Sequence, residues 1–335
     1  MDNLTTTTQI PSGIQEIYDR MLLTVASPRL VHTMWAEKRS IKQKESKTIR
    51  FRRYDELPVN KTAITEGVTP AGKKMSASDI TATLDQYGDY LVLTDVVELT
   101  QPDPNIKDAV RELGKQQGRT MDELMRDVMI STTSAYYAGN VVGISTVATK
   151  PAVADLDAIE RLLDRALAFK LTKMIKPTTG FNTVPIDEGY IALFHTDAKK
   201  DLRALSGFVK VEQYATQATV MPGEIGTYGP FRCIGINTSR IDEDSGEAIG
   251  ATGCKSTTGV LLDVYYALIF GDDSYADIPL NGGTTGIVIK SHFKNDTSDT
   301  SDPLNQRSTV GWKAMWAGRI TNDDWIYKYC HAVTA

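Results

Sequence analysis

Apolar and polar residues alternate singly in two stretches near the start of this 335-residue chain. In Thr48–Tyr54, Ile49 and Phe51 alternate with Arg50 and Arg52, the period of a half-exposed strand. In the stretch from Met75 to Leu99, Ile80, Ala82 and Leu84 alternate with Thr81, Thr83 and Asp85. Leu91, Leu93 and Val97 carry the extended run onward. Pro58, Gly67, Pro70 and Gly72 punctuate a loop between the two stretches. The pattern predicts a basic strand and a return strand joined as a long ribbon, with a bulge or bend at Gly88. A two-stranded ribbon is marginal in water unless something covers it. A neighbouring subunit is the cover this arrangement invites.

The period then changes. Ile106, Val110, Leu113, Met121, Leu124, Val128 and Ala135 recur at helical spacing behind an Asp103-Pro104 start, and Gly139-Asn140 supplies a stop. Gly114 and Gly118 lie inside this long helix, each weakening it by roughly 1 kcal/mol, so a bend or break is expected near them. Upstream, residues 1–30 read as an arm with a short helix over Ile14–Leu23, and a second helical piece follows over Leu30–Arg39. Downstream, Leu156, Ile159, Leu162, Leu163, Ala166 and Leu167 define a helix starting near Asp155. Strands are expected at Tyr190–Phe194, Phe231–Ile236, Val260–Phe270, Gly286–Lys290, Gly311–Ile320 and Trp325–Tyr329, with a short helix at Asp197–Leu205. The fold class is α+β: a lobe of short elements, a long helix and an arm.

Composition narrows this picture little. No apolar run approaches the roughly 18 residues of a membrane span. Met1–Gln9 is polar and threonine-rich, unlike a signal peptide, so synthesis in a cytosol is expected. Three widely spaced cysteines (Cys233, Cys254, Cys330) argue against a disulfide framework. Charge is more telling. The net charge is −5, yet Lys38–Arg53 holds eight basic residues and one acid, a local +7 against −12 elsewhere. Such a strip suits nucleic-acid phosphates or the acidic surfaces of sister subunits. The acidic remainder favours the subunit contact.

Catalytic candidates are sparse. His32, His195, His292 and His331 are scattered, and none has a metal-ligand spacing. His195 sits at a strand-to-helix turn, where a local hydrogen-bonding role outweighs catalysis. Asp242, Glu243, Asp244 and Glu247 cluster but fail the calcium-loop pattern, because position twelve is Gly253. These acids, like Asp272, Asp273 and Asp277, read as solvated loop residues. Residues 281–286 are glycine-rich but lack the lysine of a phosphate loop. No cofactor or metal is called for.

Six motifs fall in order along the chain: Thr65-Glu66-Gly67-Val68-Thr69-Pro70, Ile80–Tyr90, Tyr190–Leu205, Gly223-Glu224-Ile225-Gly226, Asp302–Arg307 and Gly311-Trp312-Lys313. Together they resemble the major capsid proteins of tailed bacteriophages, and among them the coat-protein family typified by coliphage N-four. The resemblance spans most of the chain from about residue 40 onward. It implies the Hong Kong ninety-seven capsid fold, with an extended two-stranded loop, a long spine helix, and peripheral and axial domains.

The implied division is an arm at 1–39, extended loop and return strand at 40–100, spine helix at 101–150, mainly axial domain at 151–285, and closing strands of the peripheral domain at 286–335. The implied function is self-assembly into hexamers and pentamers of an icosahedral shell around double-stranded DNA. The implied partners are the chain itself, a separate scaffolding protein, a portal and a decoration protein, with no membrane. Candidate subunit contacts are Arg50, Arg52, Arg53, Glu66, Asp85 and Tyr87, and candidate hinges are Gly114 and Gly118. Three rival readings stand beside it: an encapsulin-like compartment shell of the same fold, a nucleic-acid binder using Lys38–Arg53, and an enzyme using His195.

Overall fold

The computed structural model describes residues 31–41, 46–54, 57–63, 66–67, 69, 71–94, 105–174, 186–214, 220–250, 253–280, 287–292 and 307–335. In chain order its strands and helices are β1 (Glu37–Lys38), β2 (Thr48–Tyr54), β3 (Ala77–Thr83), β4 (Asp85–Thr94), α1 (Asn105–Ile130), β5 (Ala135–Tyr137) and α2 (Val153–Arg165). There follow β6 (Tyr190–His195), α3 (Lys199–Arg203), β7 (Val209–Lys210), β8 (Glu224–Tyr228), β9 (Phe231–Ile236) and β10 (Ile241–Asp242). The last are β11 (Val264–Phe270), β12 (Tyr275–Pro279), β13 (Ile287–His292), β14 (Arg307–Ile320) and β15 (Ile326–His331).

The strands form three sheets. The larger runs β5-β15-β11-β6-β9-β8-β7, with β10 also on β11. Its centre, β11, is buried at every residue, as a strand covered on both faces must be. Helix α2 turns Leu156, Ile159 and Leu163 into the same core. The second sheet is built on β14, which pairs with β4 along one edge, since Trp316 faces both Asp85 of β4 and Pro279 of β12. Helix α1 packs on β14, burying Val110, Leu113, Met121, Met125 and Met129. The third sheet is the ribbon β2-β3.

Several sequence expectations are corrected. The long helix stops at Ile130 rather than near Gly139, because Asp323 captures the turn beyond it. Thr132 Oγ1 and the amide and hydroxyl of Thr133 all donate to that carboxylate. Residues 135–137 then form β5 beside β15. Gly114 and Gly118 are buried inside α1, which continues through both without a break. Leu167 lies beyond α2 and is exposed, with a positive φ of 52°.

The expected helix over Leu30–Arg39 is, in its described part, a turn followed by β1. Its amides find a distant partner: Val31 and His32 N–H both donate to Asp122 Oδ1 on α1 at 2.8 Å. The expected helix over Ile14–Leu23 lies outside the described residues. Gly88 makes no bulge. It sits in register opposite Lys313, and a Cβ there would approach the Trp312 carbonyl oxygen to 2.6 Å. Asp277 is no solvated loop residue but is buried in β12, accepting from Trp316 Nε1 and Lys38 Nζ, both at 2.6 Å. The two closing strands also part company, β14 joining the smaller sheet and β15 the larger.

Asp122 is a buried tie between remote segments. Besides the two amides, it accepts from His32 Nδ1 at 2.9 Å and Thr238 Oγ1 at 2.8 Å. Burial alone would raise its pKa, but the His32 and Thr238 hydrogen bonds outweigh burial and hold it below the ordinary carboxylate range. Asp122→Ala strands several buried donors. It is expected to cost the unassembled subunit about 3 kcal/mol in urea denaturation.

His331 supplies a second prediction. It is fully buried beside Phe194, Tyr265 and Tyr329, with Nδ1–H donating to the Ala332 carbonyl at 2.9 Å. Burial pushes its pKa down to about 4. The folded state therefore favours the neutral ring. That contribution is complete above the unfolded value of about 6.5 and is lost as pH falls through 4, for a total on the order of 3 kcal/mol. Urea midpoints across this window should fall with pH, and His331→Phe should show a shallower fall.

Candidate functional site

The ribbon has two unlike faces, and the period-two rule assigns them. Register pairs Ile49 with Ala82, Phe51 with Ile80, and Arg53 with Ser78 on one face. That face lies against the body. Phe51, Ala82 and Leu84 are buried with Ile41, Ala276, Ile278 and Ala317, and Ile49, Ile80, Leu280 and Met315 pack around them. The Arg39 guanidinium lies 5.7 Å from the centre of the Phe51 ring.

The opposite face carries Arg50, Arg52 and Tyr54. Arg50 and Arg52 converge on Asp79, which faces Arg52 across the ribbon, at 3.5 and 3.1 Å. The structure thus splits the three arginines. Arg50 and Arg52 share one carboxylate on the solvent face, and Arg53 reaches from the other face to Asn322 Oδ1 at 2.8 Å. Parity with Phe51 already carried this distinction in the sequence.

Much of the basic strip meets acids of its own chain. Lys38 pairs with Asp277 at 2.6 Å and Lys47 with Asp85 at 3.9 Å. Lys42 and Lys44 lie outside the described residues. This internal neutralisation weakens the strip as a phosphate-binding surface.

The loop beyond the ribbon is exposed throughout its described part, and it holds apolar side chains in solvent. Val59 is 81% and Met75 66% exposed, with Leu57 and Tyr54 also open. Tyr90, Leu91 and Val92 continue this exposed set on β4. An apolar surface of this kind marks an interaction site more often than isolated exposed residues do. Glu66 is exposed in a turn of the loop. Asp85 and Tyr87 stand apart from the ribbon, on β4. Asp85 is exposed, and Tyr87 is half-buried edge-on to Trp316, with its pKa raised by burial and by Asp85.

The other chemical candidates resolve into local roles. His195 ends β6, and its Nδ1 accepts from the Asp197 amide at 3.1 Å. Burial holds this imidazole below its ordinary pKa. Asp197 in turn accepts from Lys255 Nζ at 3.0 Å and Tyr265 Oη at 2.9 Å. Asp242 accepts from Arg240 Nε at 2.8 Å and Tyr266 Oη at 2.6 Å. Among the described residues no three His, Cys, Asp or Glu side chains are grouped to hold a metal ion.

Comparison with known proteins points to phage capsids. The family model described as phage capsid protein matches residues 77–329. No curated protein matches the chain. Among solved structures, the capsid of Ralstonia phage GP4 superposes with a TM-score of 0.66 at 11% identity, covering 91% of this chain and 89% of that one. The cyanophage Pam1 capsid gives 0.57 at 12% identity, with 93% of each chain covered. The capsid of cyanophage P-SCSP1u gives 0.56 at 11% identity, covering 91% and 89%. At such identities the likeness is one of fold.

The ribbon's attachment should depend on its apolar underside and not on its surface ion pairs. Phe51→Ala is expected to destabilise the unassembled subunit by about 3 kcal/mol. Asp79→Ala should leave the denaturation midpoint essentially unmoved, since exposed pairs contribute little. Urea titration of both variants checks the contrast.

Proposed function

The chain belongs to the phage capsid protein family, and we propose that it builds an icosahedral shell by laying its ribbon over adjacent copies of itself. It is a structural capsid protein with the α+β fold of the Hong Kong ninety-seven type. The proposed units of assembly are hexamers and pentamers enclosing packaged double-stranded DNA. The observation that carries this reading is the ribbon itself, anchored on one face and open on the other, with exposed apolar residues in its loop.

In this reading α1 and the β14 sheet form the peripheral domain, and α1 is its spine. The β11 sheet forms the axial domain that meets its copies at the ring axes. Heterologous contacts close into rings when the rotation allows, and joining five- and six-membered rings of one chain requires adaptable links. The ribbon is one such link, and Gly114 and Gly118 are candidate hinges. A scaffolding protein, a portal and a decoration protein are the proposed partners, with assembly in the host cytoplasm. The order of the sequence motifs supports a place near the coat-protein family typified by coliphage N-four. Among the described residues no helix is long and apolar enough to cross a membrane.

Negative-stain electron microscopy of the expressed protein, alone and with candidate scaffolding proteins, tests this reading. Closed shells, tubes or hexamer sheets are expected from the wild type. Reversing Arg50, Arg52 and Arg53 together to glutamate should abolish or distort them. Normal particles from the triple variant would remove the arginines from the contact. A wild-type monomer under every condition would overturn self-assembly.

A further inference from the structure

The loop-side end of the ribbon, where Arg53 pairs with Ser78, borders a groove of about 480 Å³. Arg53, Ser78 and Ile80 line it from the ribbon, Val128 and Ser131 from the end of α1, and Gly318 to Thr321 with Asp323 from the end of β14. Gly318 keeps the floor low, since a Cβ there would meet the Trp316 ring at 2.7 Å. Two guanidinium groups stand at this groove. Arg53 is held by Asn322, a neutral side chain. The Arg319 side chain is exposed, with no hydrogen bond or ion pair among the described residues.

Among the described lining residues the one carboxylate, Asp323, is already engaged by Thr132 and Thr133. Those hydrogen bonds outweigh its partial burial and hold it below the ordinary carboxylate range. The Thr321 hydroxyl is buried in the lining without a partner. Two cations, one committed anion and an unused hydroxyl make a receptor for a carboxylate, with Ile80, Val128 and Ile320 as an apolar surround.

The matching donor of a carboxylate is in the loop that continues from this end of the ribbon. Glu66 is the one acid among the described residues of the loop at 57–76. It is exposed and has no partner among them, and it shares the loop with the exposed Leu57, Val59 and Met75. We propose that Glu66 of one copy docks between Arg53 and Arg319 of the next, so that each loop is received at the groove where a neighbouring ribbon passes into its own loop. This rests on the shell reading and deepens it by naming the residues of one contact. A loop-to-groove contact of this kind is heterologous and propagates from copy to copy. Opposite charges surrounded by apolar groups give such a contact register as well as affinity. A nucleic-acid phosphate would also suit the two arginines, but the apolar lining and the apolar loop favour a protein segment.

Charge reversal tests the contact. Glu66→Arg alone, and Arg53→Glu with Arg319→Glu, should each lower particle yield by about tenfold or more. The three changes combined should restore yield to within about threefold of wild type. Thermal melts of the unassembled variants separate a lost contact from a lost fold.

A second measurement does not depend on reversal. The three native cysteines are buried, so particles of Glu66→Cys, Arg319→Cys protein should give a ladder of disulfide-linked multimers on oxidation. Normal particles from Glu66→Arg, or double-cysteine particles that stay monomeric on a denaturing gel, would overturn the docking and leave the shell reading intact. Failure of the wild type to assemble under any condition would overturn both. Particles that need only the two arginines, with free subunits binding DNA in a salt-sensitive way that Arg53→Glu, Arg319→Glu removes, would assign the groove to phosphate instead.

Discussion

Two strands cannot bury both of their faces, and this one constraint organises the molecule. The ribbon β2-β3 hides a single stripe, with Phe51, Ala82 and Leu84 set against Ala276, Ile278 and Ala317. Everything above that stripe stays open to solvent. The seam therefore does two things at once. It fixes the ribbon to β12 and β14 at its base, and it commits the remaining surface to contacts that the chain cannot supply by itself. Where the seam ends, β4 continues into the smaller sheet, and Gly88 and Gly311 lack the Cβ atoms that would collide across the β4–β14 pairing.

The frame that carries this seam is held by buried and half-buried carboxylates joining segments far apart in the chain. Asp122 ties the start of the described chain to α1 and to Thr238. Asp155 accepts from the Gly139 amide at 3.1 Å and from Tyr329 Oη at 2.9 Å. Asp323 ends α1, and Asp277 links β12 to Lys38 and Trp316. Hydrogen bonds to ionised acceptors are stronger than neutral ones, and each of these carboxylates meets two or more donors.

Shell building asks for many modest contacts repeated by symmetry, and the ribbon's outer surface fits that demand. Its exposed ion pairs add little to the stability of the single subunit. In the proposed lattice the same charges would act on register and partner choice, where complementarity matters more than strength. In that proposed contact the exposed apolar side chains of the loop would supply the burial that charges alone do not.

The sequence by itself determined the elements whose period is local. The alternation in Thr48–Tyr54 and Ile80–Leu84, the apolar run that becomes β11, and the helical spacing of α1 and α2 were all legible, because side-chain periodicity reflects which face is buried. The order of capsid-like motifs was legible too. Even the separation of Arg53 from Arg50 and Arg52 was present in their parity.

Tertiary structure alone decided what depends on a remote partner. It ended α1 at Ile130 through Asp323, turned the chain at His32 through Asp122, and buried Asp277 in a strand whose sequence, Tyr-Ala-Asp-Ile-Pro, reads as a loop. It also sent β14 and β15 to different sheets and brought Arg53 and Arg319 to one groove. Hydrogen bonds and packing across hundreds of residues leave no periodic trace along the chain, so these features exist only once the chain has folded.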